Sequence, residues 1–456
     1  MRRVVKVSRI RIIITIIVVV LTTLLTGCTG KEPNEIAYVV ALGIDSTDDD
    51  NYKITIQYAN TTQISGGASE SGGKAGSEIV DNVTIEAPNI YAGVGLANNI
   101  VSKSFSMSHA KLIVFSKEIA EKGVKDMIET LVRSEEIRPD VFIAVANTTA
   151  NDYLTSVNPE MEVNPAQYYQ LIYQKNQLVG IPDGQLREFF TGLYTDNYDS
   201  ILPVAGVIER AGGNSQNDDK GQSKDGQNEG SEGSSESLDS FESKSSDDKD
   251  ENEKEKDAEK NTSKYEYDIK NYVGGETAIE KKNKAEAIGA AVFEKDKMVG
   301  ELGEVETEIC KMLKGDYTYS YLTYYNNDTP DIPITVKTTQ QKKPKYKIDT
   351  DKKTVDIELY IESDLYSLPA DYNVENKIED FERDVANYTS SACTKFINNF
   401  TKKYNSDILK LNEKVKYKFL TNNQYNWFKK NVGWSEYKFS VCTNFKVRRT
   451  GLIVRE

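Results

Sequence analysis

Leu25-Thr26-Gly27-Cys28 places a thiol directly after two small residues, at the close of an apolar run. The thiolate is the strongest nucleophile among the common side chains at neutral pH. Small residues before it leave the backbone open to a peptidase. The pattern suits two linked events: acylation of Cys28, and cleavage of the peptide bond between Gly27 and Cys28.

The elements upstream fit that chemistry. Arg2, Arg3, Lys6, Arg9 and Arg11 make a positive n-region, and Ile12 to Leu25 form the apolar run. At ~1.5 Å per residue such a run spans roughly 21 Å, short of the ~30 Å hydrocarbon core. That length suits a signal h-region better than a permanent span, and the Leu25–Cys28 ending favours cleavage before Cys28 over a plain leader with a chance cysteine. The four residues resemble the bacterial lipobox. Residues 1–27 are expected to be a signal peptide, and Cys28 the acylated first residue of the mature chain. Each buried CH₂ contributes about 0.8 kcal/mol, so stable attachment takes two or more acyl chains.

Other chemistry is scarce. His109 is the single histidine, so any Ser-His-Asp or Cys-His site would have to use it. No G-x-S-x-G elbow is present, and Ser106 and Ser108 lie too close in sequence to serve it in a usual triad. We read His109 as structural. Gly93-Val94-Gly95 begins like a dinucleotide fingerprint, but the third glycine is missing and the pair falls inside an expected helix. Close packing is the better reading of the two glycines. A calcium loop starting at Asp45 would need glycine where Asp50 stands and glutamate where Ile56 stands. Residues 45–51 are therefore read as a solvated hairpin turn. No P-loop or HExxH occurs, and Cys310, Cys393 and Cys442 are too dispersed for a metal pair or a disulfide framework. No enzyme, metal or cofactor is expected. Trp427 and Trp434 bracket a turn, and are assigned to packing ahead of carbohydrate or partner contact.

Composition sets further bounds. The chain has 456 residues, 38% hydrophobic and 28% charged, with net charge −14. This is an ordinary globular balance with room for two or three domains. A basic nucleic-acid footprint is absent, and so is a polybasic membrane patch beyond the n-region. Residues 211–264 carry 16 acidic and 8 basic residues with almost no large apolar ones. Such a stretch cannot offset its ordering entropy and is expected to be disordered. The runs on either side of it, ILPVAGVIE (201–209) and AIGAAVFEKDKMVGEL (287–302), read as strands. The stretch is then a loop insertion between strands of one domain, cheap because each doubling of loop length costs only about 0.6 kcal/mol.

The rest of the chain reads as mixed α and β. EIAYVVALGID (35–45) and YKITIQYAN (52–60) form a hairpin, and Val83-Thr84-Ile85 a short strand. Pro88 opens a helix to about Val101. Lys111–Phe115 and Val141–Ala146 are strands around a helix from Glu118 to Arg133. Residues 150–190 are mostly helical, broken at Pro165 and Pro182. Near the C-terminus Val355, Ile357, Leu359 and Ile361 alternate with polar neighbours. Val374, Ile378, Phe381, Val385, Tyr388, Ala392, Phe396 and Phe400 mark an amphipathic helix of about thirty residues. Its wet face would carry Lys377, Asp380, Glu382, Arg383 and Asp384. Strands at Val415–Phe419 and Phe439–Val447 complete an antiparallel sheet. The expected class is α+β and multi-domain: mostly antiparallel sheets packed with helices, and a long amphipathic helix in the C-terminal domain. The expected units are 28–190, an N-terminal α/β domain; 191–345, a middle domain holding the 211–264 insertion; and 346–456, a C-terminal α+β domain.

In order along the chain, the lipobox, EIAYVVALGID, VTIEAPNIYAGV, SHAKLIVFSKEIAEKGVKDMIETLVRSEEIRP, AVANTTANDYL, IGAAVFEKDKMVGEL and the alternation from Trp434 to Gly451 resemble the Ger(x)C family, the C subunits of spore-germination nutrient receptors. The resemblance implies a lipid-anchored, non-enzymatic subunit on the outer face of the spore inner membrane. It implies two integral membrane partners, the A and B subunits, with a nutrient ligand left unassigned. Cys28 is the one residue to which it assigns chemistry. A solute-binding lipoprotein of an uptake transporter is the alternative, and would need two βα-repeating lobes around a cleft.

Overall fold

The computed structural model describes residues 13–18, 35–49, 51–59, 80–159, 164–174, 180–195, 197–208, 271–277, 283–324, 333–367, 377–404 and 406–449. Gly27, Cys28 and the 211–264 insertion lie outside them. Residues 13–18 are helical, and among the described residues no helix is long and apolar enough to cross a membrane.

The first sheet begins with β1 (Ile36–Ser46), β2 (Tyr52–Ala59) and β3 (Val80–Ala87), an antiparallel meander. Helix α1 (Ile90–Ile100) follows, its N-terminus capped by Asn89, whose side chain accepts from the Ala92 N–H at 2.9 Å. Short β4 (Ser104–Ser106) and then β5 (Leu112–Ser116) both pair parallel to β1. The helix expected over 118–133 is two helices, α2 (Lys117–Lys122) and α3 (Lys125–Val132). Gly123, at φ +122°, ends the first where a side chain would be strained. Strand β6 (Phe142–Ala146) then precedes α4 (Ala150–Ser156), α5 (Pro165–Gln174), α6 (Leu186–Thr195) and β7 (Ile201–Val207). Past the insertion come β8 (Ala285–Glu294) and β9 (Lys297–Leu302). The strand order is β3-β2-β1-β5-β6-β7-β8-β9, with β5-β6-β7 parallel and β7-β8-β9 antiparallel.

Central strands β5 and β6 are buried along their whole length because helices cover both faces. Helices α1, α2, α3 and α6 bury Ile90, Ile119, Ile128 and Phe189 on one side, against Ile54, Phe115 and Phe293. On the other side α4 and α5 bury Tyr153, Tyr169 and Tyr173 against Leu112, Val114 and Phe142.

Helix α7 (Glu304–Lys314) leads to the second sheet: β10 (Tyr319–Tyr324), β11 (Ile334–Asp349), β12 (Thr354–Ser367) and, after α8 (Ile378–Lys403), α9 (Leu411–Val415) and α10 (Asn422–Asn431), β13 (Lys438–Arg449). The α+β class stands. Three expectations are corrected. First, β13 pairs parallel to β12, since the chain crosses over through α8 before returning. Second, Val415–Phe419 is not a strand. It is the end of α9 and a 3₁₀ turn, because the Asp407 carboxylate accepts from the N–H groups of Leu411 and Asn412 (2.7 and 2.8 Å) and starts a helix there. Third, Glu382 is not on the wet face of α8. It is buried, accepting from the Val447 N–H at 2.9 Å and pairing with Lys446. Val374, expected in the first turn, lies outside the described residues.

The expected divisions at 190/191 and 345/346 fall inside α6 and β11, and one sheet spans both sides of the first. One apolar core also joins the two sheets. Ile201, Ala290, Val292 and Leu302 from the first meet Cys310 and Leu313 of α7, Val355 and Ile357 of β12, and Ile397 and Phe400 of α8.

The strands that flank the insertion pair directly with each other, Val207 opposite Ala285. Residues 271–277 return across that pair. Gly274 donates its N–H to the Ile288 carbonyl at 3.0 Å, and a Cβ on Gly206 would lie 2.0 Å from the Gly274 carbonyl carbon. Only two glycines allow backbones to cross so closely.

Candidate functional site

A cleft of about 480 Å³ opens between the two sheets. Its one wall is the 181–185 segment with Tyr173 and Glu188; the other is the C-terminal end of α7 with Asp316 and Tyr317. The α7 helix ends there because Gly315 takes the left-handed conformation, φ +85°, and donates back to Lys311.

Lys311 crosses the joint. Its ammonium donates to the Ile181 carbonyl at 2.9 Å, although the two residues are 130 positions apart. Burial, opposed mainly by Asp316, lowers its pKa to about 8. Burial likewise raises the Asp183 carboxyl, helped by Glu188 and opposed by Lys314. Lys314 and Asp316 form an ion pair at 3.7 Å. Behind the wall, burial pushes Glu308 up to about 7, and the Tyr317 hydroxyl donates to it at 3.3 Å. The cleft thus combines cations and carboxyls with apolar walls of Phe142, Ile181 and Ile201. It is suited to holding a small polar molecule bearing both charges. Sequence reading missed it, since its members come from five separate segments with no shared periodicity.

The residues singled out in the sequence do not assemble here. His109 packs edge-on against Tyr38, centroids 4.8 Å apart, and its Nδ1 shares a hydrogen bond with adjacent Ser108 at 3.0 Å. Ser108 also bonds Ser106 at 2.9 Å, so the trio is a local turn network. Gly93 sits against Ile54, as close packing requires, whereas Gly95 faces open space. Asp45 departs from the solvated turn expected for it. It is buried, and its carboxylate accepts from the N–H groups of Ala150 (2.6 Å) and Asn151 (3.0 Å) at the start of α4. Trp434 packs between Phe428 and Tyr437, whereas Trp427 is exposed. Among the described residues no group of three or more His, Cys, Asp or Glu side chains is placed to hold a metal. Cys28 and Gly27 lie outside the described residues.

Two family models match the chain. "Spore germination protein N-terminal domain" covers residues 30–207, and "Spore germination B3/ GerAC like, C-terminal" covers 288–451. Spore germination protein KC of Bacillus subtilis (strain 168) is 26% identical over 174 residues, 35% of this chain and 42% of that protein. Spore germination protein B3 of the same organism is 26% identical over 148 residues, 30% of this chain and 36% of that protein. These alignments reach about two-fifths of the relatives' length. The crystal structure of the GerBC protein superposes with a TM-score of 0.47 at 15% identity, covering 89% of this chain and 96% of that one. With both family models matched in order on either side of the insertion, the chain belongs to the Ger(x)C family of spore germination proteins.

Proposed function

We propose that the chain is the lipid-anchored, non-enzymatic subunit of a spore nutrient-germinant receptor, required for the germination response. It is held by acyl chains on Cys28 at the outer face of the spore inner membrane, beside the integral A and B subunits. The observation that carries this is the pair of family matches, 30–207 and 288–451, behind the Leu25–Cys28 lipobox. The chain's part is then to bind and position partners.

Deletion of the gene should give spores that form normally and ignore nutrients. Cys28→Ala should leave the folded body intact and release it from the membrane fraction. Deletion spores with normal nutrient responses would sink the receptor reading; a Cys28→Ala chain still held by membranes stripped of A and B would sink the anchor.

The cleft at Lys311 and Asp183 favours one second reading, solute capture by the subunit alone. Calorimetric titration of the chain with amino acids separates the two. Micromolar binding that Lys311→Met abolishes would favour solute capture.

A further inference from the structure

Three of the most exposed apolar side chains lie within eleven residues of one another. Tyr417 is 78% exposed, Leu420 94% and Trp427 69%, while Trp434, seven residues on, is 7%. They share one corner of the molecule. Phe419 packs against Tyr425 (5.9 Å) and Phe428 (4.9 Å), and so clamps the 416–420 turn onto α10. Leu420 and Trp427 are the chain neighbours of those clamped rings, and they face water. Solvent exposure of a tyrosine, a leucine and a tryptophan together has no stabilising role in the fold.

The surrounding charge is one-sided. Residues 410–430 contain six lysines and one acidic residue, Glu413, in a chain of net charge −14. Lys416, Lys418 and Lys430 are exposed. Lys410, Lys414 and Lys429 lie further in: Lys410 pairs with Glu188 at 3.7 Å, Lys414 donates to the Leu409 carbonyl at 2.6 Å, and Lys429 to the Thr195 carbonyl at 3.0 Å. The six lysines lie within twenty-one residues of sequence, so the reading that a polybasic patch is absent beyond the n-region is corrected at this segment. The Lys418 ammonium donates to the Ile348 carbonyl, which leaves Lys416 and Lys430 beside the aromatic and aliphatic tip, a combination that complements a surface with phosphates outside and hydrocarbon beneath.

We propose that this corner lies on an anionic lipid surface, with Tyr417, Leu420 and Trp427 entering the headgroup layer and Lys416 and Lys430 meeting its phosphates. The proposal rests on the membrane-anchored reading above, and adds to it a second contact that sets the orientation of the tethered body. Acyl chains alone would leave that body free to tumble about its N-terminus.

The chain has two tryptophans, and Trp434 is buried, so a change in indole emission on adding vesicles reports on Trp427. The full chain is added to mixed phosphatidylglycerol–phosphatidylcholine vesicles and to pure phosphatidylcholine vesicles. A blue shift on the anionic vesicles, with quenching by brominated acyl chains and weakening as salt rises, is the expected result. Trp427→Phe should abolish the shift without altering the circular dichroism of the exposed site's host fold. Lys416→Glu and Lys430→Glu should each weaken partitioning about fivefold or more, from roughly 1 kcal/mol per surface lysine. Flotation of the same vesicles reports the anchor separately. A chain that floats while Trp427 keeps the emission of a water-exposed indole keeps its anchor and loses this contact. A shift that appears only once the integral subunits are added would assign the corner to a protein, and would equally overturn the lipid assignment. A Cys28→Ala chain that still shifts on anionic vesicles would establish the contact without the anchor.

Discussion

Asp199 and Asp407 hold each other across the joint between the two sheets. The Asp407 N–H donates to the Asp199 carboxylate at 2.8 Å, and the Asp199 N–H returns a bond to the Asp407 carbonyl at 3.2 Å. The other Asp199 oxygen accepts from the Lys295 N–H at 2.8 Å, and Ser406 donates to the Phe293 carbonyl at 2.8 Å. Burial pushes the Asp407 carboxyl from 3.8 to about 7, against the lowering effect of the Asn412 and Leu411 N–H groups and Lys414. Asp199 is raised for the same reason.

The sign of the pH effect follows. A carboxyl with a raised folded pKa binds its proton more tightly in the native state. From about pH 4 to about 7 the folded chain therefore holds more protons than the unfolded one, and stability falls as pH rises through that window. Urea unfolding at pH 5 and pH 7.5 should show the chain more stable at the lower value. Asp407→Asn should flatten the difference, leaving a residue from Glu308, whose pKa is also about 7. The variant should also lose about 1 kcal/mol at pH 5, since an amide cannot accept both N–H groups as the carboxyl does. An unchanged pH slope in Asp407→Asn would refute the assignment.

Glu382 ties the second turn of α8 to the end of β13 through the Val447 N–H and Lys446. Glu382→Ala leaves that N–H without its partner, and about 1–3 kcal/mol of stability should be lost. Lys446→Ala should cost far less, because the lysine is solvent-exposed and its ion pair is screened. Equal losses in the two variants, measured by chemical denaturation, would contradict this division.

Cys310, Cys393 and Cys442 are free thiols. Burial pushes the first two up to about 12, while Cys442 is exposed. In a Cys28→Ala chain, a thiol-specific reagent at pH 8 should label one cysteine quickly and two more only on unfolding. Rapid labelling of all three in the native protein would mean that the shared core around α7 and α8 is not closed.

Removing residues 215–260 should move the melting temperature by no more than a few degrees, because β7 and β8 pair without them. By contrast Gly206→Ala, a single methyl, should cost at least about 2 kcal/mol, since its Cβ would collide with the Gly274 backbone. Thermal scans of the two variants side by side decide the matter. A deletion more damaging than the methyl would place essential contacts inside the removed segment.

Much of the fold is legible in the residues. EIAYVVALGID is unmistakably a strand, and the apolar runs at 201–209 and 287–302 announce a pair. The spacing of Phe381, Val385, Phe396 and Phe400 marks one helix face. What was not legible depends on partners far away in sequence. The alternation Val415, Tyr417, Phe419 has a strand's period, yet Asp407 starts a helix there by capping it. Asp45 and Glu382 look like solvent-facing acids until the N–H groups of Ala150 and Val447 are brought to them. Parallel pairing of β12 with β13 cannot be told from antiparallel pairing by alternation alone, because both bury every second residue. The cleft was hidden for the same reason: Lys311 and Ile181 meet only through folding.

The crossing of Gly206 and Gly274 fastens the exit and the re-entry of the long acidic excursion like the two sides of a buckle. A fluorescent protein or an affinity tag spliced in near residue 235 should thus leave the folded body intact, because the clasp and the pairing of Val207 with Ala285 lie wholly outside the graft.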